Sequence, residues 1–406
     1  MTFPPVPLSG PRFQTDPAAL YREMRRDHGP VVPVLLDGGV PAWLVLGYRE
    51  LHQLAGDPAL FTRDSRLWNQ KDALPEDWPL LPIVLRRIPL GDPPTPEQMR
   101  ERSAISNHAI DGVDLIGLRA LTERFADELI DEVCGAGHAD LISDYAVQLP
   151  LRVTAVLCGF DAEDGPGIVT ALTALMDGQA GANDALAHLI GTTTELLAKR
   201  RTRPADDMVS RMLARGERFS DRELVETVLE IVVAGHQSTA DWIGNSLRLM
   251  LTDERFAASL FGGRSSVAEA MNEVLWEDTP LQNWPGRWAS RDTHLGDRHI
   301  RAGDLLILGL QGANHDPLVR TPGLVRTSGN SAHFSFSHGE HRCPFRAQEM
   351  AEVIAGTAIE VLLDRLPDID LAMPQEELTR RPSAWLRGLT SLPVAFTPAP
   401  PLLRGP

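Results

Sequence analysis

The chain is poor in cysteine, in net positive charge and in long apolar runs, and each shortage excludes something. Three cysteines in 406 residues (Cys134, Cys158 and Cys343) are too few, and odd in number, for a disulfide framework. A formal net charge of −16 argues against a nucleic-acid binder, which needs a basic face, but leaves room for a local basic patch that docks an acidic protein. No stretch approaches the roughly 18–20 apolar residues of a membrane span. The opening MTFPPVPLSGPRF has neither the basic start nor the apolar run of a signal peptide, so a cytoplasmic protein is expected.

What is present is an ordinary globular composition, 43% apolar and 23% charged, without internal repeats. The runs Val31–Leu36 and Ala42–Leu46, separated by Asp37-Gly38-Gly39, predict two strands and a turn. Helical patterns dominate from about residue 98 to residue 278. Residues 285–345 change to turns and short apolar runs, a last helix follows Cys343 to about Leu363, and the tail AWLRGLTSLPVAF reads as a hairpin. The proline-rich ends, residues 1–11 and 397–406, are expected to be loose or extended. The sum is a mainly α protein with small β-sheets at both ends, read as a single domain over residues 1–406. Cys134 and Cys158 sit in apolar helical stretches and read as small buried hydrophobes.

The clearest helix starts at Ser220, which forms an S-x-x-E capping box with Glu223. It has no proline from Leu224 to Met250, and its centre, Leu229 to Ala234, is apolar nearly all round, as for a helix through the middle of the protein. It then presents Gly235, His236, Gln237, Ser238 and Thr239 in succession. Buried polar groups need partners. Either these belong to a kinked core helix, or they line a groove where a ligand approaches the backbone at Gly235.

The segment Phe334–Met350 reads F-S-F-S-H-G-E-H-R-C-P-F-R-A-Q-E-M. A thiolate ligand needs a protected, electropositive pocket. Cys343 lies just before a helix whose N-terminus favours negative charge. Pro344 suits a first helical position, Gly339 allows a tight turn under a flat cofactor, and His341 and Arg342 carry charge for acidic groups on a ligand. A rival reading of the same residues is a zinc site from His333, His338, His341 and Cys343.

Phe336-x-x-Gly339-x-His341-x-Cys343 resembles the haem-binding loop of cytochromes P450, and the likeness extends over roughly Pro30 to Phe396. The resemblance implies the P450 fold with its long central I helix over the haem, a soluble bacterial type, and haem b as cofactor. It implies Cys343 as the axial iron ligand, Phe336 in the haem loop and His341 as a propionate partner. Asp92-Pro93-Pro94 resembles the start of the C helix. There Pro96 takes the place of a propionate-binding histidine, while Arg100 is kept as the second ligand. Ala234-Gly235-His236-Gln237-Ser238-Thr239 resembles the oxygen-binding stretch A-G-x-[E/D]-T-T, making Ala234 and Gly235 cofactor-facing and Gln237, Ser238 and Thr239 the proton path. Gln237 replaces the acid, and an amide does not titrate near neutral pH. Arg287-Trp288-Ala289-x-x-Asp292 resembles R-x-A-x-x-D, with Arg287 on a propionate.

Four further departures stand out. Phe345 replaces a glycine after the cysteine. Pro344 removes one N–H that could donate to sulfur, which is expected to leave more charge there and lower the iron potential. In the K helix Glu273 is kept but Trp276 replaces the arginine of E-x-x-R, a pattern similar to certain atypical actinomycete P450s. A buried Glu273 then needs another cation, with Arg320 and Arg326 as candidates, or a proton, or water. His315 stands where A-N-R-D-P has arginine. The implied activity is a haem-thiolate monooxygenase acting on a small, secondary-metabolite-like organic substrate, with electrons from a ferredoxin and its ferredoxin reductase. The substrate would lie near residues 62–90, Gln282–Pro285 and Leu389, with Trp68, Trp78 and Trp284 as wall or packing residues. The departures motivate an alternative: a haem-binding relative without productive oxygenation, serving as a binding or signalling partner or using peroxide.

Overall fold

The structure, a computed structural model, describes residues 4–10, 12–13, 16–74, 78–85, 94–161, 164–176, 182–257, 264–319 and 330–402. Its strands are β1 (Val6–Pro7), β2 (Val31–Leu36), β3 (Val40–Val45), β4 (Phe61–Thr62), β5 (His138–Asp140), β6 (Trp284–Ala289), β7 (Thr293–Leu295), β8 (Arg298–Ile300), β9 (Leu305–Leu308), β10 (Asp370–Leu371) and β11 (Pro393–Ala395). The helices used below are α1 (Pro17–His28), α2 (Tyr48–Gly56), α3 (Pro96–Asp111), α4 (Leu115–Val133), α5 (Gln148–Cys158), α6 (Asp221–Thr252), α7 (Arg264–Glu277), α8 (Leu310–Asn314) and α9 (Phe345–Arg365). The chain divides into two compact units. The first comprises residues 1–99, 272–343 and 379–388, and the second the remainder.

The first unit is built on a six-stranded sheet of order β1-β2-β3-β9-β6-β4. Its β2–β3 hairpin forms as the sequence predicts, because Gly38 and Gly39 both take positive φ (81° and 76°), which few other residues tolerate. Strand β9 is apolar at every position, and the sheet explains why. Leu305 and Ile307 enter one apolar cluster with Val32, Trp68 and Trp288, while Leu306 and Leu308 enter a second with Val45, Leu51 and Phe61. Successive side chains point to opposite faces, so a strand covered on both sides loses its polar alternation. Each fully buried Leu or Ile contributes about 1.5–3 kcal/mol. The N-terminal end is less free than its prolines suggest: Val6 pairs in parallel with Val34.

The second unit is mainly helical, with a small sheet of order β10-β11-β5. Here the tail departs from expectation. It is not a hairpin with itself, because β11 pairs antiparallel with both β5 and β10, and Leu386 bridges to Leu281 within the first unit. Helix α6 begins with the expected capping box, Ser220 and Glu223 satisfying each other's backbone N–H. Its wholly buried stretches, however, are Leu224–Leu229 and Thr239–Leu247, and the predicted centre is only partly buried: Ile231 and Val233 are half-buried and Ala234 is exposed. Arg102 of α3 fastens that helix to α6 through Glu226 (2.9 Å), Glu230 (3.3 Å) and the Thr227 hydroxyl (3.2 Å). Cys134 and Cys158 are buried, as read, and burial pushes the Cys158 thiol far up.

Among the described residues no helix is long and apolar enough to cross a membrane.

Candidate active site

In the first unit the cysteine loop is a folded object rather than a strap. The Ser337 N–H donates to Phe334 O (2.7 Å), the Arg342 N–H to Gly339 O (3.2 Å) and the Cys343 N–H to Phe336 O (3.0 Å). Gly339 takes φ 76°, and a Cβ there would lie 2.2 Å from the Ala55 carbonyl oxygen, so this turn requires glycine. Arg63 donates to His341 O (3.2 Å), and the Tyr48 hydroxyl donates to Ala332 O (2.7 Å). Asn314 of α8 holds the loop's entry, accepting the Phe334 N–H (2.7 Å) and donating to Leu275 O, Thr279 Oγ1 and Ser335 Oγ. Ser337 is the one non-glycine residue with positive φ (62°) among the described residues, and its buried hydroxyl has no partner. Left-handed backbone costs a side-chain-bearing residue about 1–2 kcal/mol. Ser337→Gly is therefore expected to raise stability by about 1 kcal/mol, read as a higher midpoint in chemical unfolding.

The thiol itself differs from expectation. Cys343 is half-buried, and loss of solvent pushes it up to about 12. Desolvation of the thiolate outweighs whatever the nearby charges and helix start contribute, so the protein alone keeps this sulfur protonated at neutral pH. Coordination to a metal ion would deprotonate it outright. Pro344 caps α9 from outside, and Phe345, 63% exposed, takes the first helical position.

Arg287, on β6, is 1% exposed. Its Nη1 reaches only the neighbouring Gly286 O (3.2 Å), and its Nη2 has no partner. Burial pulls this guanidinium down to about 10, partly opposed by Glu340, which still leaves it charged at neutral pH. A buried cation with a free donor is costly unless an anion meets it.

Beside this loop, Trp276 of α7 is buried at 6% exposure, and its indole N–H donates to Asn330 O (2.9 Å). Its ring meets His333 edge-on at 5.7 Å, and His333 packs on Phe336 at 6.0 Å. Glu273 is half-buried, so solvent reaches it; Arg320 and Arg326 lie outside the described residues. His315 Nε2 lies 3.0 Å from Glu277 Oε2. Asp278 is clamped by Arg380 (2.5 Å) and Arg387 (2.7 Å) from the tail segment. Burial holds His333 down at about 4, against roughly 6.5 in an unfolded chain. Between those values the unfolded state binds more protons. Stability from this group is therefore complete above pH ~6.5 and is lost as pH falls toward 4, by at most about 3 kcal/mol. Unfolding midpoints should fall over that window, and His333→Gln should flatten the decline.

In the second unit, α6 carries the other predicted residues, and the helix sorts them by face. Ser238, half-buried, donates its hydroxyl to Ala234 O at 3.2 Å, and Ala234 is exposed, so these two share the open flank. Gln237 and Thr239 are buried, and the Gln237 amide donates to Asp241 Oδ1 (2.9 Å). His236 is also buried, its Nε2 3.0 Å from Val147 O. At Gly235 an added Cβ would meet Thr154 of α5 at 3.4 Å, ordinary contact with a neighbouring helix. Arg100 is exposed on α3. Asp92 and Pro93 lie outside the described residues.

No family model matches the chain. It is, however, 31% identical over 396 residues to cytochrome P450 107B1 of Saccharopolyspora erythraea, covering 94% of this chain and 95% of that one. The chain belongs to the cytochromes P450. It is similar as well to a vitamin D(3) 25-hydroxylase of Pseudonocardia autotrophica, at 30% identity over 95% of both chains. The solved structure of the P450 PksS of the Bacillus subtilis bacillaene polyketide synthase superposes with a TM-score of 0.82, at 28% identity over 98% of this chain and all of that one.

As a P450 the protein is a haem-dependent monooxygenase that acts on an organic substrate with a redox partner. The first unit's residues fit the group: a half-buried thiol, a glycine turn with no room for a side chain, and a buried guanidinium with a donor to spare. No group of three or more His, Cys, Asp or Glu suited to a metal ion is found among the described residues, and the zinc reading has no support. Of the tryptophans, Trp68 packs against Trp78 and Trp288 (6.0 Å each) inside the core, and Trp284 is half-buried. Sequence reasoning missed Arg63, Tyr48 and Asn314. Arg63 and Tyr48 bind the loop across more than 270 residues, and no local pattern announces that. Asn314 belongs to the A-N-R-D-P-like turn, and that motif does not reveal its side-chain partners.

Proposed function

We infer that this P450 takes electrons from a ferredoxin supplied by a ferredoxin reductase and oxidises a small, secondary-metabolite-like molecule, with the whole chain acting as one catalytic domain. The observation that carries the reading is the pairing of Ser238 Oγ with Ala234 O on the open flank of α6. Cys343 would supply the thiolate to the haem iron, Phe336 would help hold the group, and Arg287, His341 and Arg100 would bind its carboxylates. Bound there, the haem supplies dioxygen activation, which a thiolate ligand favours.

The chain's own residues then handle water and protons. Ser238 holds a hydroxyl that accepts a second hydrogen bond while donating to Ala234 O, which suits it to keep an ordered water on that flank. Gln237, turned inward to Asp241, positions the helix but cannot itself give up a proton near neutral pH. Thr239, buried beside it, supports the same stretch. Proton supply thus falls to Ser238 and water, which favours slow and ligand-dependent coupling.

The relatives' names include a polyketide biosynthesis enzyme and a mycinamicin hydroxylase/epoxidase, which supports a natural-product substrate. The test is turnover with surrogate ferredoxin partners against ligands found by spin-shift screening. Product formation is expected, and Ser238→Ala should divert a clearly larger share of the consumed electrons to hydrogen peroxide, because a positioned proton donor is lost. Complete uncoupling with every ligand that binds would overturn the oxygenase reading.

A further inference from the structure

We propose that His294 and His299 form a two-nitrogen binding site for a late first-row divalent metal ion, Zn2+ or Cu2+, on the β7–β8 hairpin. The two residues are direct cross-strand partners, between the pairs Thr293–Ile300 and Leu295–Arg298. The Gly296-Asp297 turn is two residues long, so the pair beside it, Leu295–Arg298, is hydrogen-bonded. By alternation His294–His299 is then the closer, non-hydrogen-bonded kind, whose side chains approach most nearly. Their rings stand 5.3 Å apart, centre to centre, at 61°.

The flanking residues leave this face to the histidines. Leu295 and Ile300 turn into the core, and Arg298 donates to His28 O and Val31 O, which takes its charge off the pair. Both imidazoles are exposed, so solvent leaves their χ angles free to aim one nitrogen each at a shared point about 2.0–2.1 Å away. Asp292 adds a negative charge. Its Oδ1 is fixed by the Ala302 N–H (2.9 Å), and its Oδ2 lies 3.6 Å from His299 Nε2. Two protein nitrogens leave coordination positions for water or an added ligand, making this an open site rather than a closed structural one. Neutral imidazole donors select this metal class over Mg2+ or Ca2+.

A second imidazole on the same short hairpin binds as an intramolecular ligand, so losing either histidine should cost about 10²-fold in affinity. The experiment titrates the haem-loaded protein with Zn2+ by calorimetry, comparing wild type with His294→Ala, His299→Ala and the double variant. Far-ultraviolet dichroism checks that these surface changes leave the fold intact. Saturable binding lost about 10²-fold in each single variant is expected. With Cu2+, electron paramagnetic resonance should show coupling to two nitrogens in wild type and to one in each single variant. Absence of saturable Zn2+ binding in wild type, unchanged affinity in the double variant, or copper coupling indifferent to both substitutions would overturn the proposal.

Discussion

Cys343→Ser is expected to abolish turnover, by more than about 100-fold, and to remove the thiolate signature from the reduced carbon-monoxide difference spectrum while leaving the helical dichroism in place. The reasoning begins with size. Serine replaces sulfur with oxygen at a half-buried position whose backbone N–H is already held by Phe336 O, so the loop keeps its shape. What changes is the donor. Thiolate pushes electron density onto iron, and that push favours O–O cleavage. A serine hydroxyl is a far poorer donor and resists ionisation more strongly still in surroundings that already push a thiol up to about 12. Removing groups that merely support a metal ligand costs 10–100-fold, so loss of the proposed ligand itself would lie beyond that range. A variant that bound haem with an unaltered spectrum would mean that another residue is the ligand.

Trp276→Ala is expected to lower stability by about 3–5 kcal/mol, and the thiolate-type spectrum should weaken in proportion to the protein that converts to an unordered haem loop. Two effects add. A buried large aromatic truncated to alanine leaves a cavity worth most of that range. The Asn330 carbonyl loses its indole N–H donor, a smaller loss of about 0.5–1.5 kcal/mol, because Asn330 is exposed and water can take the donor's place. Trp276→Phe separates the two, because it keeps most of the ring against His333 and should show only the smaller loss. Trp276→Arg, which restores the family's usual residue, should not restore stability. The site is packed around a neutral imidazole, and Glu273 is half-buried rather than sequestered, so the new guanidinium would be desolvated without a matched buried anion. Urea unfolding of the three variants, followed by dichroism and by the haem spectrum, checks all of these. A Trp276→Arg protein more stable than wild type would show that the ionic network is recoverable and that the indole is no anchor.

The family loop was legible because its chemistry is local: a turn that only Gly339 can make, a cysteine four residues on, and a helix start after it. The same holds for the β2–β3 turn and the Ser220–Glu223 cap, where neighbours in sequence satisfy one another. The tail failed as a hairpin because strand partners are chosen by the sheet: β11 finds β5 more than 250 residues earlier and β10 more than 20 residues earlier. At Gly235 the residue type announces room for a close neighbour without naming one, and the contact with Thr154 is made across more than 80 residues.

By itself, then, the sequence determined the fold class, the cysteine loop and its glycine, and the missing K-helix arginine, all expressed within a few bonds along the chain. Tertiary structure alone decided which flank of α6 stays open, that desolvation keeps the Cys343 thiol protonated, and that the Trp276 indole finds its partner in the Asn330 carbonyl. Burial and long-range hydrogen bonds depend on what the rest of the chain brings alongside, and no local pattern carries that information.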